Sequence, residues 1–504
     1  MALRFLDLFA GCGGLSLGLQ NAGLEMVAAV ELSEMAAETH YKNFHLRGTE
    51  WSAETQTEWD NLLKSSFLEQ IKAGTVVGDI TELLQDSEAM TYLQRAGHPD
   101  IIVGGPPCQG FSMAGKRNPN DKRNVLPNAF LEFVRELQPQ AVVIENVIGI
   151  NRAFISHGHA DSPFGQLQLA LEGCTSKPGT GGHINKVGYL VQPIEVNART
   201  FGVPQSRPRM MLIAIRADTR IAQDLKKSDS VEASIWRSDA AFKELLKGGD
   251  PTFGLGLVPQ VGSRINGSHP KTVFSAGDAL CDIDNFGYRA KANSLFYKKN
   301  PQSKRFAKTM RGDLRNSSKH LKNHVLRNHS DRVIQRFSLY HYLAKENLDS
   351  SVLALPHQQA RGRADKAGLT EKAVRQLISE KLGGHASNRP NQLFIERADV
   401  NLVDVIMRLG TRKHSQKVVD KNKPAPTVVT LPDDYVHPTE PRVMTVRELA
   451  RFQSFPDWFE FRSKETTGGR RRKFEVPQYT QVGNAVPPLM AQAIGELLVK
   501  LLDE

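Results

Sequence analysis

Seven short apolar runs alternate with amphipathic stretches along the first 216 residues, and this alternation constrains the fold more than any other feature. The runs begin at residues 4, 26, 75, 100, 141, 189 and 210, and most lack the polar alternation of a strand with one wet face. Helix-like stretches at 15–23, 33–44 and 129–138 lie between the early runs. The pattern predicts an α/β fold with a doubly wound, mostly parallel sheet. Ligands of such sheets bind at the carboxyl ends of the strands.

The alternation is lost after about residue 216, where polar segments rich in Gly and Asn are mixed with short helical stretches such as 370–382. A chain of 504 residues exceeds what one hydrophobic core usually supports, so two packed units are expected. We predict a first domain formed by residues 1–216 and 431–504, and a second, smaller domain of uncertain fold at 217–430.

Two helices are predicted near the C-terminus. The segment 445–455 opens with Thr445 and Glu448 at capping-box spacing and stops before Pro456, which predicts a short helix. The segment 481–502 carries an apolar stripe after two prolines, which predicts a final helix. Because strand one begins at Arg4 with no helix before it, we expect this final helix to cover that edge of the sheet.

Positive charge is concentrated rather than spread. The formal net charge is +11, and residues 298–336 alone carry twelve basic side chains against Asp313 and Asp331. A solvated face is the commoner role of a charge run, but the interleaved His, Asn, Ser and Gln make a phosphate-binding surface at least as good an interpretation. A smaller basic cluster occupies Arg470 to Lys473.

Cysteine usage and hydropathy exclude several classes of protein. The four cysteines are too few and too scattered for a disulfide framework or a zinc site, so no metal is expected. Since no apolar run approaches a bilayer span and the N-terminus lacks a signal peptide pattern, we expect a cytoplasmic protein with no membrane partner.

The segment DLFAGCGG (7–14) follows the first strand and opens a helix. Glycines there let the backbone approach a ligand, and Glu31 after the second strand could accept from both ribose hydroxyls. Ser16 stands at the third glycine position of GxGxxG, which disfavours a nicotinamide and leaves another adenosine cofactor. A purely structural strand-to-helix turn is an equal alternative for this segment alone. Asp79 could accept from an adenine amino group, although such an Asp is usually a cap.

Three further sites follow later strands. GGPPCQGFS (104–112) presents Cys108 directly after the fourth strand, where a cysteine is a nucleophile candidate rather than only a small buried hydrophobe. Glu145 ends the neighbouring fifth strand, and Arg207 and Arg209 enter a later strand on alternate positions, so both project on one side. A surface ion pair is the alternative for these charges.

In order, these segments resemble the motif series of the bacterial-type cytosine-5 DNA methyltransferases: DLFAGCGG, GGPPCQGFS, ENV, QSRPR, RELARFQSFPD and QVGNAVPP. The resemblance implies a Rossmann-like methyltransferase fold, a target-recognition domain at 217–430, and a mobile loop at 112–124 that closes over an extruded base. It implies that Cys108 attacks carbon 6 of cytosine, that Glu145 contacts N3 and the amino group, that Arg209 contacts O2, and that Arg207 holds Glu145 or the thiolate. It also implies S-adenosyl-L-methionine as the cofactor, with these contacts: Phe9, Cys12 (through its backbone), Gly14, Glu31, Asp79, Ile80, Pro107, Leu126, Asn484 and Val486.

The expected partner is double-stranded DNA, methylated by a monomer that would be nucleoid-associated. A cognate restriction endonuclease that acts separately is a habit of such genomes rather than something the residues indicate. Two alternatives stay open, the same chemistry on tRNA and a catalytically silent DNA-binding regulator. The recognition sequence cannot be read, and the candidate base-reading residues are Arg305, Arg311, Arg361, Arg363, Arg412 and Lys413.

Overall fold

The computed structural model describes residues 2–107, 125–147, 163–173, 187–227, 273–283, 305–312, 321–357, 370–388, 400–413 and 416–502. Seven strands form the central sheet: β1 (Arg4–Leu8), β2 (Glu25–Glu31), β3 (Thr75–Val77), β4 (Ile101–Gly104), β5 (Ala141–Val147), β6 (Tyr189–Asn197) and β7 (Pro208–Arg216). Their order is β3-β2-β1-β4-β5-β7-β6, and β7 runs in the opposite direction to the other six strands. Each predicted apolar run contains one strand, which confirms the predicted α/β sheet.

The helices of the first 227 residues surround this sheet: α1 (Gly14–Asn21), α2 (Glu34–Phe44), α3 (Ala53–Leu62), α4 (Phe67–Lys72), α5 (Ile80–Gln85), α6 (Ser87–Gln94), α7 (Val125–Leu137), α8 (Pro163–Gly173) and α9 (Arg220–Lys227). Later helices are α10 (Ala276–Leu280), α11 (Arg305–Arg311), α12 (Asp331–Lys345), α13 (Glu371–Leu382), α14 (Leu402–Leu409), α15 (Val446–Phe452), α16 (Gln478–Asn484) and α17 (Pro488–Leu502). Two short strands, β8 (Lys417–Val418) and β9 (Tyr435–Val436), pair in parallel.

Apolar side chains cover both faces of the sheet because alternate residues of each strand point to opposite sides. Phe5 of β1 packs in one hydrophobic cluster together with residues of α1, α15 and α17. The adjacent Leu6 packs in a second cluster with residues of α5, α6 and α7. The sheet is therefore the middle of three layers, and only the ends of its strands are left for polar chemistry.

The final helix does not lie where the sequence predicted. Strand β1 is third in the sheet and not at an edge, so the expectation that α17 covers an edge there was wrong. Helix α17 packs instead against α1, where a Cβ added to Gly18 would lie 2.3 Å from the Cβ of Ala491. The close approach of two helices through a glycine, which local sequence does not specify, decides this position.

A third hydrophobic cluster lies mostly within the predicted second domain and includes two residues of the predicted first domain, Val436 and Val443. It is formed mainly by α12, α13 and α14. However, Phe274, Phe306 and Val428, which also belong to the predicted second domain, pack in the first cluster on the sheet. The core clusters thus do not coincide with the predicted boundaries at 217 and 430, and the division into two domains stays a prediction.

The predicted helix at 445–455 is confirmed as α15, with the expected reciprocal capping box between Thr445 and Glu448. This helix carries Arg451, whose side chain is fully buried and bonded to two buried carboxylates. The Nε of Arg451 donates to Asp457 at 2.9 Å, and its Nη1 pairs with Asp282, which follows α10. The guanidinium of Arg451 thus links α15 to Asp282, which follows α10, and to Asp457 at the end of the motif 447–457.

We expect Arg451→Ala to lower the free energy of unfolding by about 3 kcal/mol or more, because it leaves Asp457 buried without its cation and leaves Asp282 with Arg311 alone. Urea unfolding followed by circular dichroism measures this loss. The matched control is Arg375→Ala, which removes an arginine that also bonds two carboxylates, Glu371 and Asp404, but at the surface. The control should lose about 1 kcal/mol or less. Equal losses in the two variants would contradict the assigned role of Arg451.

Candidate active site

The carboxyl ends of β1, β4 and β5 meet at one edge of the sheet, because these three strands are parallel neighbours. Leu8 of β1 pairs with Gly104 of β4, and Gly104 pairs with Ile144 of β5. A Cβ on Gly104 would lie 2.1 Å from the carbonyl oxygen of Leu8, so this position admits only glycine. The segments that follow these strands are thus brought together, as the sequence predicted.

Glu145 and Arg209 form a largely buried ion pair at this edge. The Nε of Arg209 lies 2.7 Å from Oε1 of Glu145, and the two side chains are 10% and 13% exposed. Strand β7 runs antiparallel to β5, which places Arg209 opposite Val147, two residues beyond Glu145. The Glu145 carboxylate also faces Gly105, where an added Cβ would lie 3.3 Å from Oε2. Glu145 thus lies beside the segment that leads to Cys108.

Arg207 bonds backbone carbonyl groups and not Glu145, the first of its two predicted partners; the second, the thiolate of Cys108, lies outside the described residues. Its guanidinium donates to the carbonyl oxygens of Val428 (3.3 Å), Gly483 (3.0 Å) and Asn484 (3.5 Å). Burial, together with the neighbouring charge of Arg209, lowers the pKa of Arg207 to about 9. Arg209, not Arg207, is therefore the arginine that bonds Glu145, and Arg207 holds the segment that contains Asn484.

Cys108 lies outside the described residues, as does the predicted mobile loop 112–124. The residues just before Cys108 are described through Pro107, and they are anchored to β5. Asn146 Nδ2 donates to the carbonyl oxygen of Pro106 at 3.2 Å, within a buried contact. The ENV motif therefore contributes two adjacent residues, a carboxylate beside Gly105 and an amide that holds the next residue. The sequence had singled out only the carboxylate.

The turn after β1 contains three residues in the left-handed region of the backbone. Phe9, Gly11 and Gly13 have φ values of 63°, 58° and 94°. Glu31 holds this turn, since its Oε2 accepts from Gly11 N and its Oε1 from Ser33 N, each at 2.8 Å. Burial raises the pKa of Glu31, although the two backbone donors oppose the shift. The predicted meeting of the 7–14 turn with Glu31 is thus present.

The C-terminal motif 481–488 reaches the same turn. A Cβ on Gly14 would lie 2.3 Å from the carbonyl oxygen of Val486, so the two segments approach closely only because residue 14 is glycine. Asn484 is exposed, while Cys12 is buried with its Sγ directed at the carbonyl oxygen of Gln481, 3.7 Å away. Burial raises the pKa of the Cys12 thiol to about 12, which makes it an unreactive core group.

The other predicted cofactor contacts lie on neighbouring elements. Asp79 is the N-cap of α5, and its Oδ1 accepts from both the backbone N and the hydroxyl of Thr81. Ile80 is buried in the second cluster, and Leu126 at the start of α7 packs against that cluster. Pro107 is half-buried at the end of the described segment. The capping role that the sequence allowed for Asp79 is therefore real and occupies one of its oxygens.

A buried glutamine pair, which sequence reasoning missed, joins three of the motifs. Gln205 Nε2 donates to Gln453 Oε1 at 2.7 Å, and Gln453 Nε2 donates to the carbonyl oxygen of Val482 at 2.7 Å. Gln205 Oε1 also accepts from Val428 N. Both glutamines stand inside motifs that the sequence singled out, Gln205 in QSRPR and Gln453 in RELARFQSFPD, and nothing else in the sequence marks them. They position the segment that contacts Arg207 and Gly14.

Asp7 is a buried carboxyl beneath the turn. Its Oδ2 accepts from the Ser16 hydroxyl at 2.5 Å, whereas its Oδ1 has no partner among the described residues. Burial raises the pKa of Asp7 to about 7, opposed by the Ser16 hydrogen bond and assisted by the charge of Glu31. In the folded protein Asp7 therefore retains its proton at pH values where the unfolded chain has lost it.

This shift predicts a pH-dependent stability. Between about pH 4 and 7 the folded state binds a proton that the unfolded state lacks, so the free energy of unfolding falls as pH rises, by about 1.4 kcal/mol per unit for this one group. Urea unfolding across this range should show the slope, and Asp7→Asn should reduce it. The same substitution at the exposed Asp60 should leave it unchanged. An identical slope in both variants would contradict the assignment.

The described basic residues of 298–336 are largely engaged within the protein. Arg311 pairs with the buried Asp282, Arg327 lies 3.6 Å from Asp433, and Arg336 donates to the carbonyl oxygen of Leu409. Of the candidate base-reading residues, Lys413 pairs with Asp433 and Arg412 is exposed. The side chains of Arg305, Arg361 and Arg363 lie outside the described residues. The phosphate-binding interpretation of this stretch is thus weakened for its described part.

No group of three or more His, Cys, Asp or Glu side chains in the described part of the chain could hold a metal ion. No single helix in the described part of the chain is long and apolar enough to cross a membrane. One pair of described helical segments has the length and composition of a span, but it is bent by 70° between Gly469–Asn484 and Pro488–Leu502.

Comparison with known proteins gives a family match over most of the chain. Residues 3–57, 46–157 and 182–500 match the family described as C-5 cytosine-specific DNA methylase. The type II methyltransferase M.DdeI of Desulfomicrobium norvegicum is 27% identical over 497 residues, 98% of this chain and 88% of that protein. M1.HphI of Haemophilus parahaemolyticus is 27% identical over 508 residues, 99% and 88% of the two chains. A solved structure of a prophage-encoded E. coli protein, 23% identical, has a TM-score of 0.53 with all of both chains covered.

Proposed function

We propose that this chain, which belongs to the C-5 cytosine-specific DNA methylase family, methylates a flipped-out cytosine of duplex DNA with S-adenosyl-L-methionine, through a covalent bond to Cys108. The family match and the similar relatives identify the chain as a DNA cytosine-5 methyltransferase. We further propose the cofactor, the flipping of the base and the covalent step, and the residues that bind the cofactor and carry out these steps.

The ion pair between Glu145 and Arg209 is the observation that carries the proposal. An acid and a guanidinium lie side by side, largely buried, next to Gly105, three residues before the proposed nucleophile. Cytosine presents the matching groups, with N3 and the amino group beside a carbonyl oxygen. Glu145 would hold N3 and the amino group while Arg209 would donate to O2, so both binding groups are already positioned by β5 and β7.

Carbon 5 of cytosine is a poor nucleophile, and Cys108 would correct this. Its thiolate would form a bond from Sγ to carbon 6 while Glu145 supplies a proton to N3, which leaves carbon 5 rich in electrons. Carbon 5 would then take the methyl group of S-adenosyl-L-methionine and lose its proton to a base. The thiolate would leave as the ring double bond returns, and N3 would give its proton back to Glu145. A duplex hides carbon 6, so the base must leave the stack at a cost of a few kcal/mol.

The residues at the β1 turn fit S-adenosyl-L-methionine by their chemistry. No described atom lies within 4 Å of the position of a Cβ on Gly11, so the outer side of the turn is open. Glu31 uses one lone pair of each oxygen for backbone N–H groups, which leaves acceptors for two ribose hydroxyls. Asp79 binds Thr81 through Oδ1 and would accept from an amino group through Oδ2. The cofactor supplies an electrophilic methyl group.

Contacts around the turn would complete the pocket. Phe9, Ile80, Pro107 and Leu126 would provide apolar contact, and Gly14, Asn484 and Val486 would provide backbone and amide groups from two segments that already touch. Cys12 would contribute only its backbone, because its thiol is directed at Gln481. Arg207 acts as a positioning residue here, since it holds the carbonyl oxygens of Gly483 and Asn484.

Within residues 217–430, the unit formed by α12, α13 and α14 is the proposed target-recognition region.

The test of the function is a methyl transfer assay with the full chain. Labelled S-adenosyl-L-methionine is incubated with mixed-sequence duplex DNA or with tRNA, and 5-methylcytosine is located by bisulfite sequencing. Label at cytosine carbon 5 within one DNA sequence supports the proposal. Label in tRNA alone would favour the RNA substrate, and no transfer to either would favour a silent DNA-binding protein.

A further inference from the structure

An exposed basic segment projects from the protein between α15 and α16. We define the basic tip as residues 468–474, with the sequence GGRRRKF. Every residue of the basic tip is exposed, and Phe474, at 83%, is the most exposed of the large apolar side chains that the structure describes. Four successive cations and an uncovered aromatic ring therefore lie together on one short segment.

The basic tip is held in a defined shape although it makes little contact with the core. Gly469 has a φ of 62°, and Gly469–Lys473 form a turn of 3-10 helix. At the base, Lys464 lies 2.6 Å from Glu475, and the Thr467 hydroxyl also donates to that carboxylate. Backbone bonds from Gln478 N to Lys464 O and from Tyr479 N to Glu465 O close the segment. Hydrogen bonds and an ion pair at its base therefore hold the basic tip in a defined conformation.

The four cations of the basic tip are exposed and form no ion pair within the described part of the chain. Among the described residues, no carboxylate lies within ion-pair distance of Arg470, Arg471 or Lys473, and Arg472 donates to the carbonyl oxygen of Thr467. In contrast, Arg311 and Arg327 pair with acids inside the protein. Uncompensated charge on a rigid projection favours an anionic partner.

The basic tip emerges at the edge of the sheet that carries the candidate site. The chain before it runs along α2 toward the start of that helix, because Glu460 N bonds Asn43 and Arg462 N bonds Thr39, each at 2.8 Å. The chain after it returns beside the first turn of α2, where Gln481 donates to the carbonyl oxygen of Met35. Helix α2 starts just after the carboxyl end of β2, so the basic tip leaves the protein at that edge.

The base of the basic tip also touches the segment that leads into the third hydrophobic cluster. Asn323 Nδ2 donates to the carbonyl oxygen of Phe461 at 2.8 Å and to Gln478 Oε1 at 3.1 Å. From Asn323 the chain continues into α12. The basic tip therefore stands at the junction between the sheet edge and the proposed target-recognition region, the two parts that a DNA duplex would have to contact together.

We propose that the basic tip binds the phosphate backbone of the DNA duplex beside the flipped cytosine, with Arg470, Arg471 and Lys473 on phosphates and Phe474 packed against sugar or base. This inference rests on the proposed function for its substrate. It assigns a contact outside the family motifs and outside the long basic stretch 298–336. Phosphate contacts of this kind position a duplex without reading its sequence.

The test compares two triple variants of the full chain. Arg470→Gln/Arg471→Gln/Lys473→Gln removes the basic tip's charge but keeps Arg472, which bonds Thr467. The matched control, Lys72→Gln/Arg95→Gln/Lys500→Gln, removes three exposed cations near the amino ends of the strands. Binding to a fluorescent mixed-sequence duplex is measured by anisotropy from about 50 to 200 mM salt. Methyl transfer by the wild type is measured on the same DNA.

We expect the tip variant to weaken binding about tenfold or more and to reduce the slope of log Kd against log salt by about 0.9 per lost phosphate contact. The control should keep the wild-type slope. Phe474→Ala should weaken binding without changing the slope, since an apolar contact releases no counterions. If tip and control variants shift the slope equally, the inference fails although the wild type methylates DNA. If the wild type makes no 5-methylcytosine, the proposed function fails instead.

Discussion

Replacing Cys108 with serine is expected to abolish transfer of labelled methyl to duplex DNA, with a loss of about 10³-fold or more, as for removal of other covalent nucleophiles. A serine hydroxyl is far less ionised than a thiol near neutral pH and would not add to carbon 6. Binding of S-adenosyl-L-methionine, measured by calorimetry, should stay largely intact, because the β1 turn and Glu31 hold each other independently of Cys108.

The matched control for this prediction is Cys281→Ser. Cys281 is half-buried and its Sγ lies 3.4 Å from the carbonyl oxygen of Asp278, a contact that a serine hydroxyl preserves. The control should retain wild-type activity. Duplex DNA that carries 5-fluorocytosine gives an independent readout, since fluorine cannot leave as a proton does and the adduct persists. Wild type should yield a stable complex on a denaturing gel, with Cys108 as the modified residue. Full activity in Cys108→Ser would refute the mechanism.

Replacing Glu145 with glutamine should lower kcat/KM by up to about 10⁴-fold, the upper range for loss of a positioned acid or base. Glutamine has the same shape and its amide oxygen can still accept from Arg209, so the site should keep its geometry, but it cannot supply a proton to N3. Single-turnover methyl transfer measures the loss. Trapping by 5-fluorocytosine DNA should fall in parallel, because addition of the thiolate depends on that proton.

Glu371→Gln is the control for this change, since it alters an exposed glutamate that likewise bonds an arginine, Arg375. Its activity should equal that of the wild type. Unchanged thermal unfolding of Glu145→Gln would show that the loss is chemical rather than structural. Activity of Glu145→Gln within about tenfold of the wild type would mean that the ion pair with Arg209 has only a structural role, since loss of a working acid or base typically costs more.

Long-range packing supports the site from behind. Arg207 and Gln453 donate to the carbonyl groups of residues 428, 482, 483 and 484, and Gln205 accepts from the backbone N–H of Val428. Because a buried polar group without a partner is costly, these bonds restrict the segment to one position. The C-terminal motif thereby reaches the β1 turn, although about 470 residues separate the two in sequence.

Much of the fold could be predicted because it depends on neighbours a few residues apart. The apolar runs located all seven strands, and Thr445 with Glu448 predicted the start of α15 through a capping box that the structure contains. The sequence also indicated that functional residues follow the strands. In the structure the turn at 7–14 contacts Glu31, and Glu145 lies beside Gly105. Backbone geometry and local hydrogen bonds set these features, and both are legible in the spacing of residues.

Only the tertiary structure decided which charges meet and which face solvent. Spacing placed Arg207 and Arg209 on one side, but the antiparallel β7 gives Arg209 to Glu145, while Arg207 turns to carbonyl groups of residues 428, 483 and 484. Likewise, Arg311 forms an ion pair with Asp282, whereas the cations of residues 470–473 are exposed to solvent. The physical reason is that an ion pair depends on burial and on partners hundreds of residues away. The local pattern of residues along the chain determines neither of these.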